Sequence, residues 1–329
     1  MGQTTVFTVS LDSDDVAIGD VVDIPPRRPV RDALQDLSHN RQWAAAFAIA
    51  FAIPAIAAGV AAVLGGAWVT TTFLVATALV TPASGAWAAA QQRTGDRDRH
   101  LAAAFVAGLA GACLALASLP GLVWASRVEG LGDAGAGPTL LVLALTSAAA
   151  AWLGSALGRH GIAAVAIVLG CAVLPLAAYG ALLPSTNVTE PIEYLAFTPA
   201  YDLGRPTFVC TRQEVTVTRN HTELIAWLAT LSPLVWAVDA SEFMPSSLAG
   251  ADDGTLAQAQ AWTRSTRVGP DDFMGHCYAP TSLGVPAAVR EARYEKVPSL
   301  ALTAAAASAM LAAVAAGFTS WRRSSRSLS

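Results

Sequence analysis

The residues of this chain that could do chemistry are few and dispersed. Cys113 and Cys171 lie inside apolar runs, where a small packing residue is the expected role. Cys210 and Cys277 lie outside those runs, and in an oxidising compartment the two could form a disulfide that closes a loop around the apolar stretch 224–238. His100, His160, His221 and His276 have no metal-ligand spacing with Cys or Asp, and adjacent His276 and Cys277 are poorly placed for joint ligation, so no metal site is expected. No GxxxxGK[ST] loop is present, nor a nucleophile elbow or an HExxH pair, so the chain is expected to bind no nucleotide through a P-loop. Thr70, Thr71, Thr72, Thr77, Thr81 and Ser84 set hydroxyls along one apolar run. Such hydroxyls either pack helix against helix and bond back to helix carbonyls, or they line a polar pathway. Arg93, Asp96, Arg97, Asp98, Arg99 and His100 alternate in sign within one short loop, which makes either a solvated connector or an orientable contact surface for a soluble partner.

The elements that must position these groups are apolar helices. Residues 43–90 contain no Asp, Glu, Lys, Arg or His. A crossing needs about 20 apolar residues, so this run holds two, with Gly65-Gly66 as the turn. Further charge-free runs cover 101–126, 134–158, 161–189 and 297–321. Six spans are expected, at 43–64, 67–90, 101–125, 139–158, 161–183 and 299–320. Trp43, Trp68, Trp87, Trp124 and Trp321 fall near their ends, where aromatic belts sit. Composition agrees: 54% of residues are hydrophobic and only 13% charged, against about 25% charged in soluble domains. Mean hydropathy is +0.48. The net charge of -4 points to no nucleic-acid partner.

Arginine sets the orientation. Arg27, Arg28, Arg31 and Arg41, then Arg93, Arg97 and Arg99, then Arg159, then Arg322, Arg323 and Arg326 collect on one side, which is expected to be cytoplasmic together with both termini. Residues 1–42 do not read as a signal peptide, because Asp12, Asp14, Asp15, Asp20 and Asp23 precede the first basic residues. Val30, Leu34, Leu37 and Trp43 instead predict a short amphipathic helix at the membrane surface. The chain thus divides into a cytoplasmic segment (1–42), spans one to five (43–183), an extracellular cap (184–298), and span six with an arginine-rich tail (299–329). The cap is expected to be helices and loops. Its apolar stretch 224–238 is short for a crossing and carries Pro233, and crossing there would carry the arginine-rich tail to the wrong side; a re-entrant or interfacial helix pair is expected. Asp239 and Glu242 read as interfacial caps, and Pro54, Pro82, Pro120 and Pro175 as kinks. The fold class is an all-α polytopic membrane protein.

The spans hold no ionisable residue at depth. Ion-coupled carriers usually need one, so energy for any transport must come from another chain. With its charged loop after span two, its apolar segment from Trp227 through Ser232-Pro233 to Asp239-Ala240, its Val289-Arg290-Glu291-Ala292-Arg293 before span six and its arginine-rich tail, the chain resembles permease subunits of ABC-2-type ATP-binding-cassette exporters, particularly actinobacterial ones. The resemblance covers about residues 30–329. It implies a non-catalytic membrane subunit in the bacterial plasma membrane, with no cofactor of its own. ATP and magnesium would belong to a separate ATPase docked on Arg93, Asp96, Arg97, Asp98 and Arg99. A second permease subunit, identical or related, would complete the pathway. A lipophilic or amphipathic cargo would leave past Cys210 and Cys277, with Thr70, Thr77, Thr81 and Ser84 as the possible lining. The alternative is a non-transporting scaffold or sensor whose cap binds a ligand or partner.

Overall fold

The computed structural model describes residues 29–65, 68–92, 97–129, 136–158, 160–202, 205–241, 255–268, 274–275 and 299–326. Helix α1 (Pro29–His39) opens on a proline, which is preorganised for a first helical turn. Its Val30 and Leu34 are exposed, while Leu37 packs with Trp43, as an amphipathic surface helix requires. The Asn40 side chain accepts from the Gln42 N–H at 2.9 Å and so caps α2 (Arg41–Leu64). Helix α2 ends at Gly65, whose φ of +141° few other residues adopt, and this is where the expected hairpin turns. Then come α3 (Val69–Ala90), α4 (Arg97–Leu116), α5 (Leu119–Val128), α6 (Ala136–Leu157) and α7 (Gly161–Leu182). Pro120 lacks an N–H and clashes with the preceding turn, which accounts for the break between α4 and α5.

Six helical segments are long and apolar enough to cross a membrane: Arg41–Leu64, Val69–Ala90, His100–Val128, Ala136–Leu157, Gly161–Thr186 and Ala301–Thr319. Each end lies within three residues of the expected span. The chain is built as a multi-pass membrane protein. Helices α3 and α6 are central: α3 packs on α2, α4, α5, α6 and α7, and α6 packs on α3, α4, α7 and the last helix, α11 (Ala301–Arg326). Small residues bring these backbones together. A Cβ on Gly154 would collide with the Ala86 carbonyl, and one on Gly111 would lie 2.6 Å from the Ser147 carbonyl oxygen. Lipid supplies no hydrophobic drive between helices, so this close contact is what holds the centre. The outward faces of α2, α7 and α11 stay apolar and bare, for example at Ile56, Val60, Leu174, Met310 and Leu311.

The cap differs from the expected helices and loops. Strands β1 (Asn187–Asp202) and β2 (Arg205–Asn220) form an antiparallel ribbon, in register from Asn187↔Asn220 to Asp202↔Arg205. Sixteen residues per strand give a ribbon about 50 Å long at roughly 3.3 Å per residue. Pro191, Pro199 and Pro206 face Thr216, Phe208 and Tyr201, so all three fall in the same alternate set of pairs. A proline is tolerated in a ladder only where its nitrogen turns to an outer edge, and in a two-stranded ribbon both strands have one. The short strand β3 (Met274–Gly275) joins β1 in parallel at Tyr194 and Leu195. Between β2 and β3 lie α8 (Ala226–Ala229), α9 (Pro233–Ala240) and α10 (Thr255–Val268).

Candidate functional site

The site grows from a kink. Pro175 in α7 removes one helical N–H, the one that would bond the Cys171 carbonyl in the preceding turn. The Ala172 carbonyl in that turn accepts a hydrogen bond from Ser232 Oγ at 2.6 Å. Ala172 lies about 15 Å down α7 from Leu182, at 1.5 Å per residue, halfway along the helix. Ser232 is the N-cap residue of α9, so the turn between α8 and α9 reaches the middle of the bundle. The entry is fixed higher up, where His221 N–H donates to the Thr186 carbonyl at 2.9 Å. On the way down, Ala229 packs with Tyr179, Leu176 and Leu183, and Val235, just past the turn, joins the same cluster. On the way back, Trp236 and Ala240 pack with Val142 of α6 and with Ala301 and Ala305 of α11. The chain therefore descends along α7, turns at Ser232-Pro233 and returns to the same end. Leu224, Trp227 and Leu231 stay exposed on its other face.

A buried ion pair closes the return. Asp239 sits at the C-terminal end of α9, where the helix dipole opposes a negative charge. Arg267 of α10 answers it, with Nη2 2.8 Å from Oδ1, and Ser299 Oγ donates to Oδ2 at 3.1 Å just before α11. The Gln260 amide donates to the last carbonyls of α9, those of Val238 (3.3 Å) and Ser241. One carboxylate thus ties α9, α10 and the start of α11 together. Asp239 is a buried pairing residue rather than an interfacial cap, and Glu242 lies outside the described residues. Trp262 of α10 meets Tyr179 of α7 edge to face at 5.5 Å.

Where the ribbon meets this helix pair, four charged or titratable side chains converge. Arg219 Nη1 lies 3.3 Å from Glu190 Oε1 across the strands. His221 Nδ1 lies 2.8 Å from Glu223 Oε1, and its Nε2 lies 3.5 Å from Glu190 Oε2. The hydrogen bond to Glu223 raises the His221 pKa above the ordinary imidazole value; desolvation offsets part of this, and the charges of Glu223 and Glu190 add smaller upward contributions.

The residues singled out in the sequence are placed as follows. Thr70, Thr77 and Thr81 are fully buried in the packed centre, and their Oγ1 atoms make no hydrogen bond. Ser84 is buried and donates to the Thr81 carbonyl at 3.0 Å. Glu129, which the sequence reading passed over, accepts the Thr70 N–H at 2.9 Å and holds the start of α3. Arg97, Asp98 and Arg99 form the first turn of α4, on which α1 packs, whereas Arg93 and Asp96 lie outside the described residues. Cys113 and Cys171 are free and exposed on outward helix faces, not packed inside. Cys210 stands opposite Phe197 on β2, and Cys277 lies outside the described residues. The order β2-β1-β3 sets a whole strand between β2 and the strand that ends two residues before Cys277. Two strand spacings are about 9.6 Å, against roughly 4.4–6.8 Å between the Cα atoms of a disulfide. The chain beyond Gly275 must leave the sheet for the two thiols to meet. Among the described residues, no group of three His, Cys, Asp or Glu side chains could hold a metal.

Comparison with protein-family models, with curated proteins and with solved structures finds no match to this chain.

Proposed function

We propose that this chain is the permease subunit of an ABC-2-type exporter, moving a lipophilic or amphipathic cargo outward with energy from a separate ATPase. The observation that carries this reading is the helix pair 226–240, folded back at Ser232-Pro233 between the fifth and sixth spans. We read it as re-entrant from the outside, so that both termini share the cytoplasmic side with the arginine-rich loops. The same segment carries the sequence resemblance. Uncharged spans fit it too, because nothing at membrane depth in this chain could couple transport to an ion. Arg93, Asp96, Arg97, Asp98 and Arg99, with α1 packed against α4, form the docking surface for the ATPase, which holds the ATP and magnesium. A second permease subunit in the bacterial plasma membrane completes the pathway, and a Cys210–Cys277 bridge would brace the cap.

The test is capture of the ATPase from native membranes. Wild-type chain should retain an ATP-binding-cassette ATPase, and reversing the charges of Arg97, Asp98 and Arg99 should release it without lowering the amount of folded permease. Retention by the reversed variant removes the docking assignment. A second reading, a non-transporting scaffold or sensor, draws on the ribbon, whose two 16-residue strands give the cap an extended surface for a ligand or partner. It gains if no ATPase is ever retained.

A further inference from the structure

The geometry points to a proton-controlled joint at the root of the ribbon, in which His221 ties Glu190 of β1 to Glu223 of the helix-pair entry only while its ring is doubly protonated. A neutral imidazole has one N–H and one lone pair. Here both ring nitrogens face carboxylate oxygens: Nδ1 is 2.8 Å from Glu223 Oε1, and Nε2 is 3.5 Å from Glu190 Oε2. If Nδ1 carries the proton, the Nε2 lone pair points at Glu190. If Nε2 carries it, the Nδ1 lone pair points at Glu223. No neutral tautomer serves both, and imidazolium serves both at once. Nε2 is shielded from water and makes no hydrogen bond, so solvent does not take the place of Glu190 at the ring.

The consequence is directional. Nδ1–Glu223 is the short contact, so a ring that loses one proton keeps it and gives up Glu190. Glu190 then stays with Arg219, which holds the two strands to each other but not to the helix pair. What loosens is the attachment of the ribbon to segment 221–224, leaving the His221 N–H to Thr186 bond as its anchor. Among the residues whose side chains are described, the elements packed here supply no substitute charge. The turn Leu183–Thr186 and α8 carry no ionisable side chain; α7 brings Tyr179; and α10 brings Arg267, which Asp239 already engages. The raised imidazole pKa agrees in direction. The joint is therefore closed below the unfolded imidazole value of 6.5 and opens as pH rises through the higher folded-state value.

The test uses the full chain in lipid nanodiscs, with histidine ring nitrogens labelled, between about pH 5 and pH 9, a range that brackets ordinary imidazole titration. Ring-nitrogen resonances report protonation, and His221→Gln identifies the signal among the five histidines. Hydrogen exchange in peptides covering 187–192 and 219–224, corrected for intrinsic rates, reports attachment. His221 should titrate above the ordinary imidazole value, and protection should fall several-fold through the same midpoint. His221→Gln should remove the pH dependence, and Glu190→Gln should move the midpoint to lower pH. A neutral His221 at the acid end, or pH-independent protection in the wild type, overturns the joint. So does an unmoved midpoint in Glu190→Gln, and that variant decides alone if His221→Gln does not fold. Neither readout involves an ATPase or transport, so the outcome stands apart from the exporter reading.

Discussion

Replacing Asp239 by Ala should open the cap, and the structure sets the size of the effect. Asp239 is 3% exposed, and both of its carboxylate oxygens are engaged, one by Arg267 and one by Ser299. Removing it leaves the Arg267 guanidinium, whose side chain is 12% exposed, without its carboxylate. Breaking a buried pair from one side costs about 3–5 kcal/mol. Arg267 keeps its 3.0 Å contact from Nε to the Thr263 carbonyl, which places the expected loss at the lower end. About 3 kcal/mol corresponds to roughly a hundredfold in the opening equilibrium, at about 1.36 kcal/mol per decade. Hydrogen exchange in peptides covering 233–241 and 255–268 reads that equilibrium directly. Exchange there should accelerate by about two orders of magnitude in Asp239→Ala, while α3 and α6 keep their wild-type rates. The double variant Asp239→Leu with Arg267→Leu should recover much of the protection, because neither buried charge then lacks a partner. Unchanged exchange in the single variant, or a double variant no better than the single, refutes the reasoning.

Two further predictions concern the packed centre. Gly111→Ala places a Cβ 2.6 Å from the Ser147 carbonyl oxygen and 3.0 Å from Ala151 Cβ. Helices α4 and α6 must then separate, costing about 1–3 kcal/mol, and thermal unfolding in detergent should occur at lower temperature; Gly59→Ala, with open space around its Cβ, should be neutral or stabilising. Thr77→Val and Thr81→Val remove buried hydroxyls that make no hydrogen bond, so both should leave the unfolding temperature unchanged or raise it. A fall of several degrees in either would show that the hydroxyl has a partner such as water.

The membrane part was legible because absence of charge is a strong signal. No arrangement other than two crossings accommodates a run such as 43–90, and Gly65 supplies the turn between them. The fold-back at 226–240 was legible from its length and from Pro233, but its partner was not: Ser232 bonds the Ala172 carbonyl of α7, 60 residues earlier, and nothing in either segment marks the pairing. Which way the residues of a uniformly apolar helix face cannot be read from its pattern, and so Cys113 and Cys171 were expected inside. The ribbon did leave a trace, the alternation Val215-Thr216-Val217-Thr218 with Leu203-Gly204 as a two-residue connection. Prolines are depleted in strands, and only the register shows that Pro191, Pro199 and Pro206 all sit where an edge strand tolerates them. Asp239 was noticed, but pairing it with Arg267 required knowing that α10 packs back on α9. Glu190, His221 and Glu223 meet only because the ribbon returns the chain to its root, where Asn187 faces Asn220; polar residues in a loop carry no sign of that.

The most direct measurement of the central claim is native mass spectrometry of the complex extracted gently from its own membrane. The account predicts an assembly containing two permease subunits, at least one of them this 33.8 kDa chain, together with two copies of an ATP-binding-cassette ATPase that dissociate when Arg97, Asp98 and Arg99 are reversed. Folded chain that is found alone, or only with partners that bind no nucleotide, would contradict it.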